Sequence, residues 1–61
     1  MFTAYWEIVD INREDFGDCD DKKFTTLKEA QDWLGFRMKR WDYYCIIFDV
    51  EGHVADVGWM P

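Results

Sequence analysis

Serine is absent from this chain and histidine occurs once, at His53, which excludes a catalytic triad built on a serine nucleophile. Only two cysteines are present, Cys19 and Cys45, too few for a disulfide framework and without CxxC spacing, so both are expected to be free thiols in a reducing compartment. Basic residues are scarce: seven Lys and Arg stand against thirteen Asp and Glu, for a net charge of -6. That balance opposes direct binding of nucleic acid through its phosphates and adsorption to an anionic membrane. No apolar run approaches the length of a membrane span, and no basic stretch precedes an apolar one at the N-terminus, so a cytoplasmic location is expected. Glycine-rich phosphate loops, internal repeats and low-complexity tracts are also missing.

What the 61 residues do contain is bulk. Hydrophobic residues make up 49% of the chain and aromatic residues 20%, with four Trp, three Tyr and five Phe. This is the composition of one folded domain spanning residues 1–61, since so short a chain needs large side chains, a staple or a partner to close a core. The segment from Phe2 to Ile11 is rich in aromatic and β-branched residues, with Phe2, Ala4, Trp6 and Ile8 on one face, and reads as a strand. Residues 12–23 turn polar and acidic and read as a loop, with part of the segment extending the first strand, or forming a short extra strand near Lys22 to Thr25, as the alternative.

Thr26-Leu27-Lys28-Glu29 has the pattern of a capping box, so a helix is expected to begin there. Leu27, Ala30, Leu34, Met38 and Trp41 would form its apolar stripe, with Gly35 shortening or bending it. Tyr43 to Val50 reads as a strand, Glu51-Gly52 as a turn and His53 to Trp59 as a further strand. A two-residue turn pairs Phe48 with Ala55, Ile46 with Val57 and Tyr44 with Trp59; a three-residue turn with a left-handed glycine shifts the pairing by one. The expected fold is α+β: a three-stranded sheet in the order strand, helix, strand, strand, with one helix on one face. A right-handed crossover would place the first strand parallel to Tyr43–Val50.

One helix covers only one face of a sheet, and both faces of these strands carry apolar residues. With Phe2, Trp6, Ile8, Ile46, Phe48, Val57 and Trp59 assigned to the helix side, Tyr5, Val9, Tyr43, Cys45, Ile47 and Val54 turn away. Tyr5, Tyr43 and Ile47 are therefore candidate partner-binding residues on an uncovered face, unless the polar segment folds over it with Phe16 as a plug. Trp33 and Phe36 fall off the helical stripe and are candidates for the same role, unless Gly35 ends the helix and returns Phe36 to the core. Asp15, Asp18, Asp20 and Asp21 are candidates for steering toward a basic partner surface, as nucleic-acid mimicry or simply as a solubilising loop.

Catalysis and metal binding find little support. Cys45 and His53 would project to opposite faces of the hairpin, or sit well apart along it, and no zinc-ligand spacing links Cys19, Cys45 and His53. Asp10-Ile11-Asn12-Arg13-Glu14 echoes the start of a calcium loop, but Asp15 replaces the required glycine. No cofactor or metal is called for.

The size, acidity, element order and the helix start Thr26-Leu27-Lys28-Glu29-Ala30 together resemble small phage-encoded inhibitors of host machinery or bacterial defence, among them anti-CRISPR proteins. That resemblance implies a non-enzymatic protein that occludes a partner's working surface in the host cytoplasm, and it transfers no individual site residue. A protein with a basic surface, or a second copy of the chain, is the expected partner. The alternative is a protein that sequesters a small ligand such as a nucleotide between aromatic rings, with Arg37 or Arg40 on its anionic part.

Overall fold

A computed structural model describes residues 1–58. It is an α+β sheet-and-helix architecture in which four strands, not three, run in the order β2-β1-β3-β4. The strands are β1 (Phe2–Ile8), β2 (Cys19–Phe24), β3 (Tyr43–Phe48) and β4 (Val54–Val57). Every neighbouring pair is antiparallel. The additional strand is drawn from the acidic segment that reads as a loop; it includes the Lys22 to Phe24 stretch of the alternative extra strand but begins earlier, at Cys19. Its sequence, Cys-Asp-Asp-Lys-Lys-Phe, has no buried residue, because β2 is an edge strand held by its backbone ladder to β1, from Phe2 opposite Phe24 to Glu7 opposite Cys19. Charged side chains, lysine included, suit an edge that must resist pairing with other chains.

The expected parallel crossover does not form. Because β2 returns the chain before the helix starts, the connection through the helix delivers β3 antiparallel to β1 on its other side.

The helix α1 (Leu27–Leu34) begins at the capping box: the Glu29 backbone N–H donates to Thr26 Oγ1 at 3.2 Å, and the Thr26 N–H donates to Glu29 Oε1 at 3.2 Å. This satisfies two of the amides that a helix start leaves without partners. Gly35, at φ 54, ends the α-helix in a conformation that a β-carbon disfavours, and a 3-10 helix (Gly35–Lys39) follows. The tighter winding breaks the 3.6-residue stripe. Met38 still packs against the core, but Trp41, expected on that stripe, is 63% exposed.

The core lies between α1 and one sheet face. Ala4 and Ile8 of β1, Ala30 and Leu34 of α1, and Tyr43, Cys45 and Ile47 of β3 form it, flanked by Phe2, Trp6, Phe24, Leu27, Trp33 and Met38. The β1 assignment thus agrees with its even-numbered apolar face, whereas β3 is turned over. The ladder places Ala4 opposite Ile47, Trp6 opposite Cys45 and Ile8 opposite Tyr43, so odd-numbered β3 residues share the helix side with even-numbered β1 residues. A one-residue change of register exchanges the faces of an entire strand.

Both hairpin registers considered for β3 and β4 occur. Three residues, 50–52, separate Asp49 from His53, whose carbonyl accepts from the Asp49 N–H at 2.8 Å, and Gly52 is left-handed at φ 85. Phe48 consequently faces Val54. A bulge between Ile47 and Phe48 then restores Ile46 opposite Val57. The Tyr44–Trp59 pair lies outside the described residues.

Candidate functional site

The sheet face opposite α1 carries no helix, and the ladders fix what stands on it. Lys23, Thr3, Phe48 and Val54 form one row across the strands; Asp21, Tyr5, Ile46 and Val57 form the next; Cys19, Glu7 and Tyr44 form the third. Tyr44 is 39% exposed, Val57 43% and Val54 56%, while Ile46, at the centre of the middle row, is 9% exposed. Tyr5 and Tyr44 meet edge to face with centroids 6.3 Å apart. The Tyr5 hydroxyl donates to Glu7 Oε1 at 2.7 Å. That bond to a carboxylate is the main reason the Tyr5 phenol is pushed above its ordinary pKa, with burial and the nearby Cys19 acting in the same direction. The face therefore presents an apolar and aromatic centre with carboxylates from Glu7 and Asp21 beside it.

Of the residues singled out from sequence, Tyr5 is on this face. Tyr43 and Ile47 are not: they are buried against the helix at 8% and 0% exposure, because the β1–β3 register turns the odd-numbered side of β3 inward. Trp33 packs at the core margin with its ring 5.7 Å from Phe24. Phe36 remains at the surface, 58% exposed, and meets Tyr43 edge to face at 5.8 Å. Ile46, Phe48 and Val57, which the sequence pattern assigned to the helix side, stand on the open face instead, with Ile46 itself largely covered by its neighbours. Only the parity between β1 and β3 separated the two assignments. Phe16 is 46% exposed and outside the core cluster, so it does not serve as a plug.

The four acidic candidates do not form one surface. Asp15 is engaged by Arg13, whose Nε and Nη2 donate to its two oxygens at 2.8 and 2.7 Å. This fork is the main cause of the lowered Asp15 pKa. Asp18 closes the β1–β2 connection, its carbonyl accepting from the Ile8 N–H at 2.9 Å. Asp21 stands opposite Tyr5 on the open side, and Asp20 stands opposite Trp6 on the helix side, beyond the helix's cover.

A second cluster was not anticipated from sequence. Asp42, 2% exposed, lies in the turn entering β3 and accepts from two arginines. Arg40 Nε and Nη2 donate to its oxygens at 2.8 and 2.9 Å, and Arg13 Nη1 donates at 2.7 Å. The Arg40 fork is the leading cause that holds the Asp42 carboxyl down to about 2, against the opposing effect of burial. Arg13 also lies over the Tyr43 ring, 5.2 Å from its centroid. Through Arg13, this cluster ties the β1–β2 connection to the start of β3. The carboxylate of Asp10 is used locally, its Oδ1 accepting from the Asn12 N–H at 3.0 Å.

Cys45 is buried at 2% exposure, and burial pushes its thiol up to about 11. Cys19 is exposed. His53 Nδ1 lies 4.0 Å from carboxylate oxygens of Asp49 and Glu51 at the hairpin turn. Among the described residues, no group of three or more His, Cys, Asp or Glu side chains is arranged to hold a metal ion, and no helix is long and apolar enough to cross a membrane. Compared with protein-family models, curated proteins and solved structures, the chain matches none.

Proposed function

We propose that this chain is a non-enzymatic protein-binding inhibitor or adaptor, of the phage anti-defence or host-takeover type, that seats the open face of its sheet on a partner protein. The observation that carries this reading is the set of Tyr5, Tyr44, Phe48, Val54 and Val57, spread over three neighbouring rows on the side of the sheet away from α1. Aromatic and aliphatic side chains held on rigid strands lose little entropy on docking and supply most of the affinity of such interfaces. The adjoining Glu7 and Asp21, and a net charge of -6, favour a partner with Lys or Arg around an apolar centre and disfavour a second copy of an equally acidic chain.

The Cys45 thiol lies in the core with a raised pKa and His53 stands on the exposed hairpin turn, so these two residues do not form a thiol–imidazole pair.

The test uses a photo-crosslinking residue in place of Tyr44, and separately in place of the exposed Lys28 on α1, in a bacterial lysate. Capture of one defined protein through position 44 alone, lost with Val57→Lys and weakened by salt, is the expected result. Equal capture through both positions refutes the assignment of the face, and self-crosslinking in place of heterologous capture replaces the basic partner with a dimer. Tyr43→Ala is unsuitable as a probe because that ring is part of the core.

A further inference from the structure

The densest run of basic residues in this acidic chain lies around the 3-10 helix, and its Arg37 packs on the helix-side rings of Trp6 and Tyr43, away from the face assigned above. Three of the seven basic residues, Arg37, Lys39 and Arg40, fall within four positions on and just after the 3-10 helix. Beside them is a surface hollow of about 420 Å³ lined by Phe36, Trp41, Tyr43, Arg40, Arg13 and Asp10, with the Asp42 cluster also contributing. The hollow is open to solvent on one side, so a ligand there would rest against its floor and rim rather than be enclosed. Phe36 and Trp41 are 58% and 63% exposed, so two large rings stand in water at this hollow without core duties.

The polar groups at the hollow are unequally used. Asp42 accepts three hydrogen bonds on its two oxygens, and Arg13 donates from all three of its nitrogens, so three of its five N–H groups are committed to Asp15 and Asp42. Arg40 spends Nε and Nη2 on Asp42, and its Nη1 makes no hydrogen bond among the described residues. Arg37 has no carboxylate partner among the described residues. Its guanidinium is held by rings alone, 4.7 Å from the centroid of Trp6, 5.0 Å from Phe36 and 5.4 Å from Tyr43, with Nε shut off from solvent and without a hydrogen bond. An arginine fixed in this way keeps its charge while losing little freedom when an anion arrives. On the rim, Asp10 uses Oδ1 for the Asn12 amide, which leaves its other oxygen as an acceptor for an N–H donor.

We propose that this hollow is a binding site for a free nucleotide. The base stacks on Trp41 and Phe36, the phosphate takes the free edge of Arg40 with the Arg37 guanidinium close by on the Phe36 and Tyr43 rings, and Asp10 accepts from a base N–H. A bare anion would leave the two exposed rings unused, and a neutral ring would leave the cations unused; a phosphorylated base engages both. Base stacking on an aromatic side chain is sequence-tolerant and substantial, so the site is expected to discriminate by ring and phosphate more than by the identity of the base.

The experiment is an NMR titration of the full chain with the nucleoside monophosphates, with ribose 5-phosphate, nucleosides and inorganic phosphate as single-feature controls and a short single-stranded oligonucleotide as the polymeric source. Saturable shifts of the Trp41 indole and the Arg40 Nε signals with nucleotides are expected. Trp41→Ala, at an exposed position whose loss leaves the core intact, should weaken binding by about tenfold or more, and Tyr44→Ala on the opposite face should not change it. Absence of saturation at millimolar nucleotide overturns the proposal. So does an equal response to phosphate or ribose 5-phosphate, which marks an anion site without base recognition, and so does binding of the oligonucleotide alone.

Discussion

Replacing Ile47 by alanine, with Tyr44→Ala as its counterpart on the other side of the same strand, tests the orientation on which the assignment of the open face depends. Ile47 is 0% exposed and packs between the sheet and α1, whereas Tyr44 is 39% exposed on the side without a helix. Truncating a buried isoleucine removes three carbon groups worth about 0.8 kcal/mol each, and the cavity left behind brings the cost to roughly 3–4 kcal/mol. A chain of this length has a total stability of about 3–9 kcal/mol at ~0.05–0.15 kcal/mol per residue, so the loss is a large share of it. At about 4–8 °C per kcal/mol for a domain of this size, Tm should fall by roughly 12–30 °C. Tyr44→Ala removes a partly solvated ring and should cost about 1 kcal/mol or less. Circular dichroism melts of the two variants beside the parent measure both. Equal losses, or a larger loss for Tyr44→Ala, would mean that β3 presents its even-numbered side to the helix, and the proposed docking face would fall with that orientation.

The two cysteines should separate cleanly in a thiol-reagent assay: Cys19 reacts rapidly in the native protein, while the buried Cys45, with its thiol raised to about 11, reacts only on unfolding. Two equally fast thiols would contradict the packing of β3. Acid should destabilise the fold through Asp42. Its folded pKa of about 2 lies below the ordinary 3.8, so its contribution is complete above the unfolded value and is lost as pH falls through 3.8 toward about 2. Melting curves should accordingly show a drop in Tm over that window, and Asp42→Asn should start from a lower Tm and show a shallower drop. An Asp42→Asn profile that parallels the parent would remove this carboxylate as the cause. Asp15, lowered by its own fork with Arg13, acts in the same direction and accounts for part of the slope that remains.

Local chemistry made several elements legible in advance. The capping box from Thr26 to Glu29 starts a helix because its hydrogen bonds close within four residues, and Gly35 ends it because only a residue without a β-carbon accepts that backbone at little cost. The alternating face of β1 and the apolar run of β3 likewise mark strands whatever they pair with. The pattern failed where both alternatives were chemically acceptable. Cys19–Phe24 carries four charged residues and no apolar period, so its strand character comes from backbone pairing with β1 rather than from burial. Tyr43, Cys45 and Ile47 on one side of β3 are about as apolar as Tyr44, Ile46 and Phe48 on the other, and neither set identifies itself as inner.

The cluster on Asp42 was hidden for a different reason. Arg13 and Asp42 are 29 positions apart, and nothing in either neighbourhood announces the other. Arg40 and Asp42 are close in sequence, but the 3-10 turn that aims one at the other follows from the break at Gly35.

By itself, the amino-acid sequence determined the strand character of β1, β3 and β4, the start of the helix at Thr26, the abundance of apolar residues on both sides of β3, and the acidic balance of the chain. These depend on residues a few positions apart or on simple sums. Only the tertiary structure decided between loop and strand for Cys19–Phe24, and that β1 and β3 are antiparallel in a register placing Ala4 opposite Ile47, and therefore which aromatic residues reach solvent. Strand pairing is made by backbone groups that every residue carries alike, so side-chain pattern constrains it only where the two faces of a strand differ, and in β3 they do not.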